Sequence, residues 1–272
     1  MKTIVITWSS SGIGKESAKL FAEKGWQVIA TMRKPENEKE LDKIQNIHLF
    51  PLDVTNIEQV KKTCSDILSK YEVDVLFNNC GYGMKCRFED MNEEKMRKSI
   101  DTNILGMVRV TQQFIPYFKK RKQGMILTTT SLAGVIGIPL DGVYAADKFT
   151  LNGLIEMLYY ELAPFNIQVK TLIPGAVKTN FKMEGADNRP PEYKDITDRV
   201  ISYLLPNLDE IELATEVAKD AYFGVTDLDK DRMAYVFGKI AKEIVEEKVK
   251  IGEENYRKKM KDRSEERRVG KE

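Results

Sequence analysis

Tyr144 and Lys148 stand four residues apart in an apolar-periodic stretch, so both project from one face of a helix. Pairs at that spacing decorate many helix surfaces. Ser131 changes the reading, because it closes the β-branched run Met125 to Thr130 a short way upstream. A strand's carboxyl end is where ligands meet a parallel sheet, so a hydroxyl, a phenol and an ammonium can converge there on one carbonyl oxygen. The chemistry would be proton transfer. A phenol with a pKa of about 10 is a weak base near neutrality. A neighbouring ammonium stabilises phenolate and brings Tyr144 into a useful range. Ser131 would hydrogen-bond the same oxygen as charge develops on it.

A second constellation lies near the N-terminus, where Thr7-Trp8-Ser9-Ser10-Ser11-Gly12-Ile13-Gly14-Lys15 follows an apolar run. A strand, a small-residue turn and a helix opening make a pyrophosphate site: free N–H groups and the helix dipole attract the anion, and glycine permits close approach. The same residues also make ordinary turns, and the motif alone leaves both readings open.

The elements that must position these groups are legible. Strand candidates are Thr3 to Thr7, Gln27 to Met32, Ile47 to Leu52, Val73 to Asn78, Gly124 to Thr130 and Ile167 to Ile173, with a weaker one at Met233 to Phe237. Helical patterns lie between them at Gly14 to Lys24, Ile57 to Lys70, Glu93 to Lys119 and Val143 to Ala163. This rhythm implies one α/β domain: a doubly wound (Rossmann) parallel sheet of about seven strands with helices on both faces. Residues 1–258 form that domain. Thr179 to Asn207 breaks the rhythm with Gly185, Pro190, Pro191 and Pro206, and reads as a substrate loop with one short helix or as a plain surface excursion. From Lys239 onward, Ile240, Ile244, Val245 and Val249 form a stripe for a terminal helix, while 259–272 is expected to be a charged, frayed tail.

Composition excludes several classes. The 272 residues carry 43 Lys+Arg against 42 Asp+Glu, which removes the field that nonspecific nucleic-acid binding needs. One histidine, His48, forbids a multi-His metal site, and no metal is expected. Cys64, Cys80 and Cys86 are odd in number and lack CxxC spacing, as reduced cytoplasmic thiols would be. No stretch reaches 18 apolar residues and the N-terminus lacks a signal-peptide pattern, so a cytoplasmic protein without a membrane span is expected.

The ordered set of motifs resembles the short-chain dehydrogenase/reductase family over about residues 1 to 258. Thr-x-x-x-x-Gly-Ile-Gly is similar to that family's TGxxxGIG loop. Leu52-Asp53-Val54-Thr55, the Asn78-Asn79-Cys80-Gly81 turn, helix residue Asn103, then Ser131, Tyr144, Lys148 and Pro174-Gly175-Ala176-Val177-Lys178-Thr179 follow in order. The resemblance implies hydride transfer between a nicotinamide and a carbonyl or alcohol. Asn103, Ser131, Tyr144 and Lys148 would be catalytic: Tyr144 as acid/base, Lys148 also on the nicotinamide ribose, Asn103 positioning a water. Ser9, Ser10, Gly12, Ile13, Gly14, Asp53, Val54, Asn79, Gly81, Pro174, Gly175, Val177 and Thr179 would contact the cofactor along with Tyr144 and Lys148, with Thr179 on the carboxamide. A homodimer or homotetramer is also in the family's habit.

Two departures matter. Trp8 stands where the family has its first loop glycine, and its indole would strain the turn or fill the site. Asp147 precedes the lysine where serine is usual, and its charge could raise the Lys148 pKa or repel cofactor phosphate. Cofactor choice turns on Ala30-Thr31-Met32-Arg33-Lys34, which lacks the acid that commonly holds a ribose 2′-hydroxyl. Arg33 could hold a 2′-phosphate bidentately, with Lys34 or Thr31 helping, so NADP is expected rather than NAD. The substrate side offers Phe181, Met183, Tyr193, Ile196, Tyr203 and Leu204, with Gly81-Tyr82-Gly83 and Val135 to Leu140, as an apolar lining. A hydrophobic alcohol or ketone would suit it. The NNxGYG turn and Arg232 to Gly238 most resemble the 17β-hydroxysteroid dehydrogenase branch. The rival reading is a noncatalytic binding or regulatory protein whose dinucleotide site Trp8 impairs.

Overall fold

The computed structural model describes residues 1–179, 181, 183–184, 191–204 and 211–265. In chain order the elements are β1 (Thr3–Ile6), α1 (Gly12–Glu23), β2 (Gln27–Met32), β3 (Ile47–Pro51), α2 (Ile57–Lys70), β4 (Val75–Asn78) and the short β5 (Gly83–Met84). Next come α3 (Glu93–Ile100), α4 (Gly106–Arg121), β6 (Gly124–Thr129), α5 (Gly142–Leu162) and β7 (Ile167–Pro174). The last third holds β8 (Val177–Lys178), β9 (Met183–Glu184), α6 (Pro191–Leu204), β10 (Glu212–Leu213), α7 (Ala214–Thr226), β11 (Ala234–Phe237), α8 (Lys239–Ile251) and α9 (Glu253–Glu265).

All seven strand candidates join one parallel sheet in the order β11-β7-β6-β4-β1-β2-β3. Strand alternation sorts the core into two layers. Ile4, Ile6, Val28 and Ala30 face α1 and α7 through Ala18, Phe21, Val217 and Ala221. Val5, Ile29, Leu76 and Ile126 face α2, α4 and α5 through Val60, Ile67, Phe114, Leu151 and Ile155. Burial on both sides explains why the strands read as near-continuous apolar runs. The order reverses between β1 and β4, and a doubly wound sheet offers its ligand crevice at that switch, beyond the strands' carboxyl ends.

Three expectations need correction. The single helix expected over Glu93 to Lys119 is two helices, interrupted by a π-helical turn at Asp101–Leu105. The terminal stripe loses Val249, which is 79% exposed, whereas Ile244 is buried and Ile240 and Val245 pack beside it. Helix α9 carries ordered chain through Glu265, so 259–265 is not a frayed tail; residues 266–272 lie outside the described residues. His48 is structural, within hydrogen-bonding distance (3.2 Å) of the Gln27 amide and packed on Tyr71. Among the described residues no helix is long and apolar enough to cross a membrane, and no cluster of His, Cys, Asp or Glu could hold a metal ion.

Candidate active site

Ser131, Tyr144 and Lys148 meet beyond the end of β6. Ser131 is the residue that turns the chain out of the strand; its hydroxyl oxygen accepts the Ala133 N–H at 3.1 Å and caps a short helical turn. Helix α5 then brings Tyr144 and Lys148 in on one buried face. The Lys148 ammonium donates to the Thr129 carbonyl at 3.0 Å and lies 5.6 Å from the centre of the Tyr144 ring. Phe181 meets the same ring edge-on, with ring centres 5.7 Å apart.

Burial sets the protonation of the pair, in the direction opposite to that expected from charge pairing alone. It pushes Tyr144 up to about 12, with the Ser131 hydroxyl pulling down and the Asp141 and Asp147 carboxylates adding to the rise. It pulls Lys148 down to about 8, against the upward push of Asp147. Each charged form loses its water, and in this dry corner that loss outweighs the neighbours.

Asp147 does raise Lys148 as expected, but it does not face a phosphate site. Its carboxylate is buried and accepts from the Ser99 hydroxyl at 2.6 Å and the Asn103 amide at 2.7 Å. Burial weakens its acidity, and these two donors partly restore it. Asn103 sits in the π-helical turn. Its Nδ2 also donates to the Tyr82 carbonyl at 2.9 Å and its Oδ1 accepts the Tyr82 N–H at 3.0 Å. The Gly81-Tyr82 turn is therefore stitched to α5 through Asn103. A Cβ on Gly81 would lie 3.3 Å from Asn103 Oδ1 and 3.6 Å from Lys148 Nζ, so this turn backs directly onto the ammonium.

The other constellation lies across the sheet switch. Gly12 opens α1 with φ +57°, and no acid occupies the helix's first turn to compete with an anion. A Cβ on Gly14 would stand 2.5 Å from the Trp8 carbonyl oxygen and 2.6 Å from Asn79 Nδ2, so only glycine fits. Thr7 locks the two turns together, its hydroxyl oxygen accepting the N–H groups of Asn79 and Cys80 at 2.9 and 3.1 Å. Thr129 donates to the Asn79 side chain at 3.2 Å. Thr179 reaches over from β8 until its Cβ is 3.5 Å from where a Gly12 Cβ would be. Pro174 ends β7 in the core, Gly175 bonds back to Phe237, and Val177 pairs with Glu212 in β8. Asp53 spends one oxygen on the Thr55 N–H and hydroxyl, and Val54 is buried beside it.

Not every expected contact faces the crevice. Ser9 is fully buried, its hydroxyl bonded to the Ile6 carbonyl and its N–H to Thr31, whereas Ser10 is exposed and Ile13 packs on the core. Cys80 is a shielded thiol, its pKa raised by burial. On the substrate side Phe181 meets Tyr144, and Ile138 packs against the same small cluster. Met183 joins β9, which pairs with β5. Tyr193 donates to Glu89 at 3.0 Å, and Tyr203 and Leu204 pack backward against α8 and α9. Gly185, Pro190, Pro206 and Asn207 lie outside the described residues. Sequence reasoning missed Ser99 and gave Thr7 no role beyond opening the loop motif. The signal for Ser99 was its i, i+4 spacing to Asn103; Thr7 was hidden as a strand-end residue.

A model of short chain dehydrogenases matches residues 2–190. The chain belongs to that family. A 3-ketodihydrosphingosine reductase of Bacteroides thetaiotaomicron is 37% identical over 187 residues, 68% of this chain and 66% of that protein. Human retinol dehydrogenase 8 is 37% identical over 190 residues, 66% of this chain and 60% of that one. Among solved structures, a short-chain dehydrogenase from Streptomyces avermitilis superposes with a TM-score of 0.83 at 26% identity, covering 96% of this chain and 95% of that one. ElxO with NADP bound gives 0.75 at 27%, covering 86% and 96%. The protein is an NAD(P)-dependent short-chain dehydrogenase/reductase. The first turn of α1, free of acidic residues and of a side-chain cap, and the glycine that opens it fit a nicotinamide dinucleotide.

Proposed function

We propose that this dehydrogenase interconverts a hydrophobic ketone and its alcohol with NADP(H), using Tyr144 as general acid/base. The observation that carries the reading is the buried meeting of Tyr144, Lys148 and Ser131 beneath Phe181. A bound nicotinamide supplies or accepts the hydride. The chain's own residues handle the proton. A phenol held near 12 stays protonated at neutral pH, ready to donate to a developing alkoxide. Lys148, near 8, remains mostly charged at pH 7 and steadies the phenolate left behind. Ser131 donates to the same oxygen as charge grows on it. Asn103 has its side-chain amide spent on Tyr82, Ser99 and Asp147, so its part is to hold the Gly81 turn against Lys148.

Arg33 and Lys34, exposed at the end of β2 in a run, Ala30 to Lys34, that holds no acid, support NADP over NAD. Phe181 and Ile138 give the substrate side its apolar character, which matches the lipid-like compounds in the names of the two relatives and the branch likeness of the NNxGYG turn. The test is titration of the purified protein with NADPH and NADH, followed by apolar ketones. Saturable binding, tighter for NADPH, with turnover that Tyr144→Phe abolishes, is expected. Binding of neither nucleotide would favour the noncatalytic reading instead.

A further inference from the structure

Trp8 occupies a left-handed backbone conformation, φ +56°, that a large side chain rarely adopts. The loop around it is fully committed. Ser9 N–H bonds to the Thr31 carbonyl at 3.0 Å, the Thr31 hydroxyl bonds to the Ile6 carbonyl at 3.2 Å, and the Trp8 carbonyl closes on Gly14. These contacts lay the turn after β1 along the end of β2. They bring the indole beside Arg33, whose guanidinium carbon lies 5.4 Å from the ring centre.

A cation–π contact at this distance gives the guanidinium no oxygen or nitrogen acceptor. The guanidinium edge, which carries the forked N–H donors, is left for another partner. Among the described residues Arg33 has no carboxylate partner, because Glu38 and Glu40 of the neighbouring segment are drawn to Lys15 and Lys19 of α1. An exposed arginine steadied by an indole and with a free fork, at the ligand end of a strand, is built to meet a dianion.

We propose that Trp8 is a specificity-determining residue: its indole holds Arg33 with the guanidinium edge free for a phosphate, and so selects nucleotides carrying a phosphate on the adenosine ribose. The inference rests on the NADP reading above and adds to it the reason for the tryptophan. The strain at Trp8 is then a trade of backbone comfort for an arginine that is already in place.

The experiment needs no substrate. The protein and its Trp8→Gly, Trp8→Phe and Arg33→Met variants are titrated calorimetrically with adenosine 2′,5′-bisphosphate and with adenosine 5′-diphosphate. Thermal melting is recorded for each variant. Wild type should prefer the 2′-phosphorylated probe, and Arg33→Met should erase the preference. Trp8→Gly should weaken binding of that probe by about fivefold, the scale of an exposed cation–π contact, while leaving the diphosphate as tight or tighter. Trp8→Phe, which keeps a ring, should retain most of the preference. Trp8→Gly should also melt no lower than wild type, since glycine accepts the turn. In wild type, the 2′-phosphorylated probe should quench indole fluorescence more than the diphosphate, since Trp8 is half-exposed and the other tryptophan, Trp26, is buried. A wild-type preference that persists undiminished in Trp8→Gly overturns the role of Trp8 and leaves the NADP reading standing. No preference in wild type overturns both.

Discussion

Replacing Lys148 by methionine should reveal how much folding stability the site gives up to keep a charge in place. Methionine has a similar unbranched length and no charge, so the swap removes the ionisation with little change of shape. Burial lowers the lysine from its ordinary 10.5 to about 8, so the folded protein releases that proton before the unfolded chain does. Between those values the unfolded state binds more protons, and stability therefore rises with pH. A charged Lys148 at pH 7 costs about 3 kcal/mol relative to a lysine in water. That cost shrinks by about 2 kcal/mol between pH 7 and pH 9.5. The methionine variant also leaves the Thr129 carbonyl without its donor, but that loss is independent of pH. Urea denaturation of both proteins across this range gives the difference directly, with all shared titrations cancelling. Wild-type stability should climb by about 2 kcal/mol relative to Lys148→Met. A flat or falling difference would refute the claim that burial, rather than the Asp147 carboxylate, dominates the environment of Lys148.

Other perturbations address the remaining contacts. Tyr144→Phe should leave NADPH affinity within about twofold of wild type, because the ring keeps its packing against Phe181 and only one hydroxyl is lost; a large loss of affinity would give Tyr144 a binding role. Gly14→Ala should destabilise the fold by about 2 kcal/mol, since the new methyl meets the backbone carbonyl of Trp8, and calorimetric melting at wild-type temperature would contradict this. Asp147→Leu should cost about 3 kcal/mol in urea denaturation by stripping the acceptor from Ser99 and Asn103, whereas an unchanged midpoint would mean that those donors find other partners. Arg33→Asp should move cofactor preference from NADPH toward NADH, read by reduced-nicotinamide fluorescence; no movement would remove Arg33 from the ribose end.

The sheet was readable because strands buried on both faces must be apolar almost throughout, as at Thr3–Ile6 and Val75–Asn78. The Tyr144–Lys148 spacing was readable for a similar reason, since a helix brings i and i+4 together whatever surrounds it. What local pattern could not carry was the break at Asp101–Leu105. Nothing in Asp-Thr-Asn-Ile-Leu disfavours an ordinary helix. The turn widens where Asn103 answers partners far away in sequence, Tyr82 and Asp147. Asp147 was half legible: its place beside Lys148 in sequence announced its upward push on that lysine, whereas only the packed structure turns the carboxylate toward Ser99 and Asn103. Tyr203 and Leu204 were apolar enough for a pocket, but helical periodicity does not say which neighbour an apolar face will choose.

Helix α6 is braced from behind. Val200 and Leu204 pack against Ala241, Ile244 and Tyr256 of α8 and α9, and Tyr203 donates to Glu247, which also pairs with Lys259. In front, Glu192 pairs with Arg87 and Tyr193 reaches Glu89, tying the same helix to the segment after β5. The family match ends at residue 190, one position before α6 begins. Ser131, Tyr144 and Lys148 lie inside the matched span, whereas α6 and the helices that brace it lie outside, so a change in α6 must be answered by α8 and α9 and not by that trio.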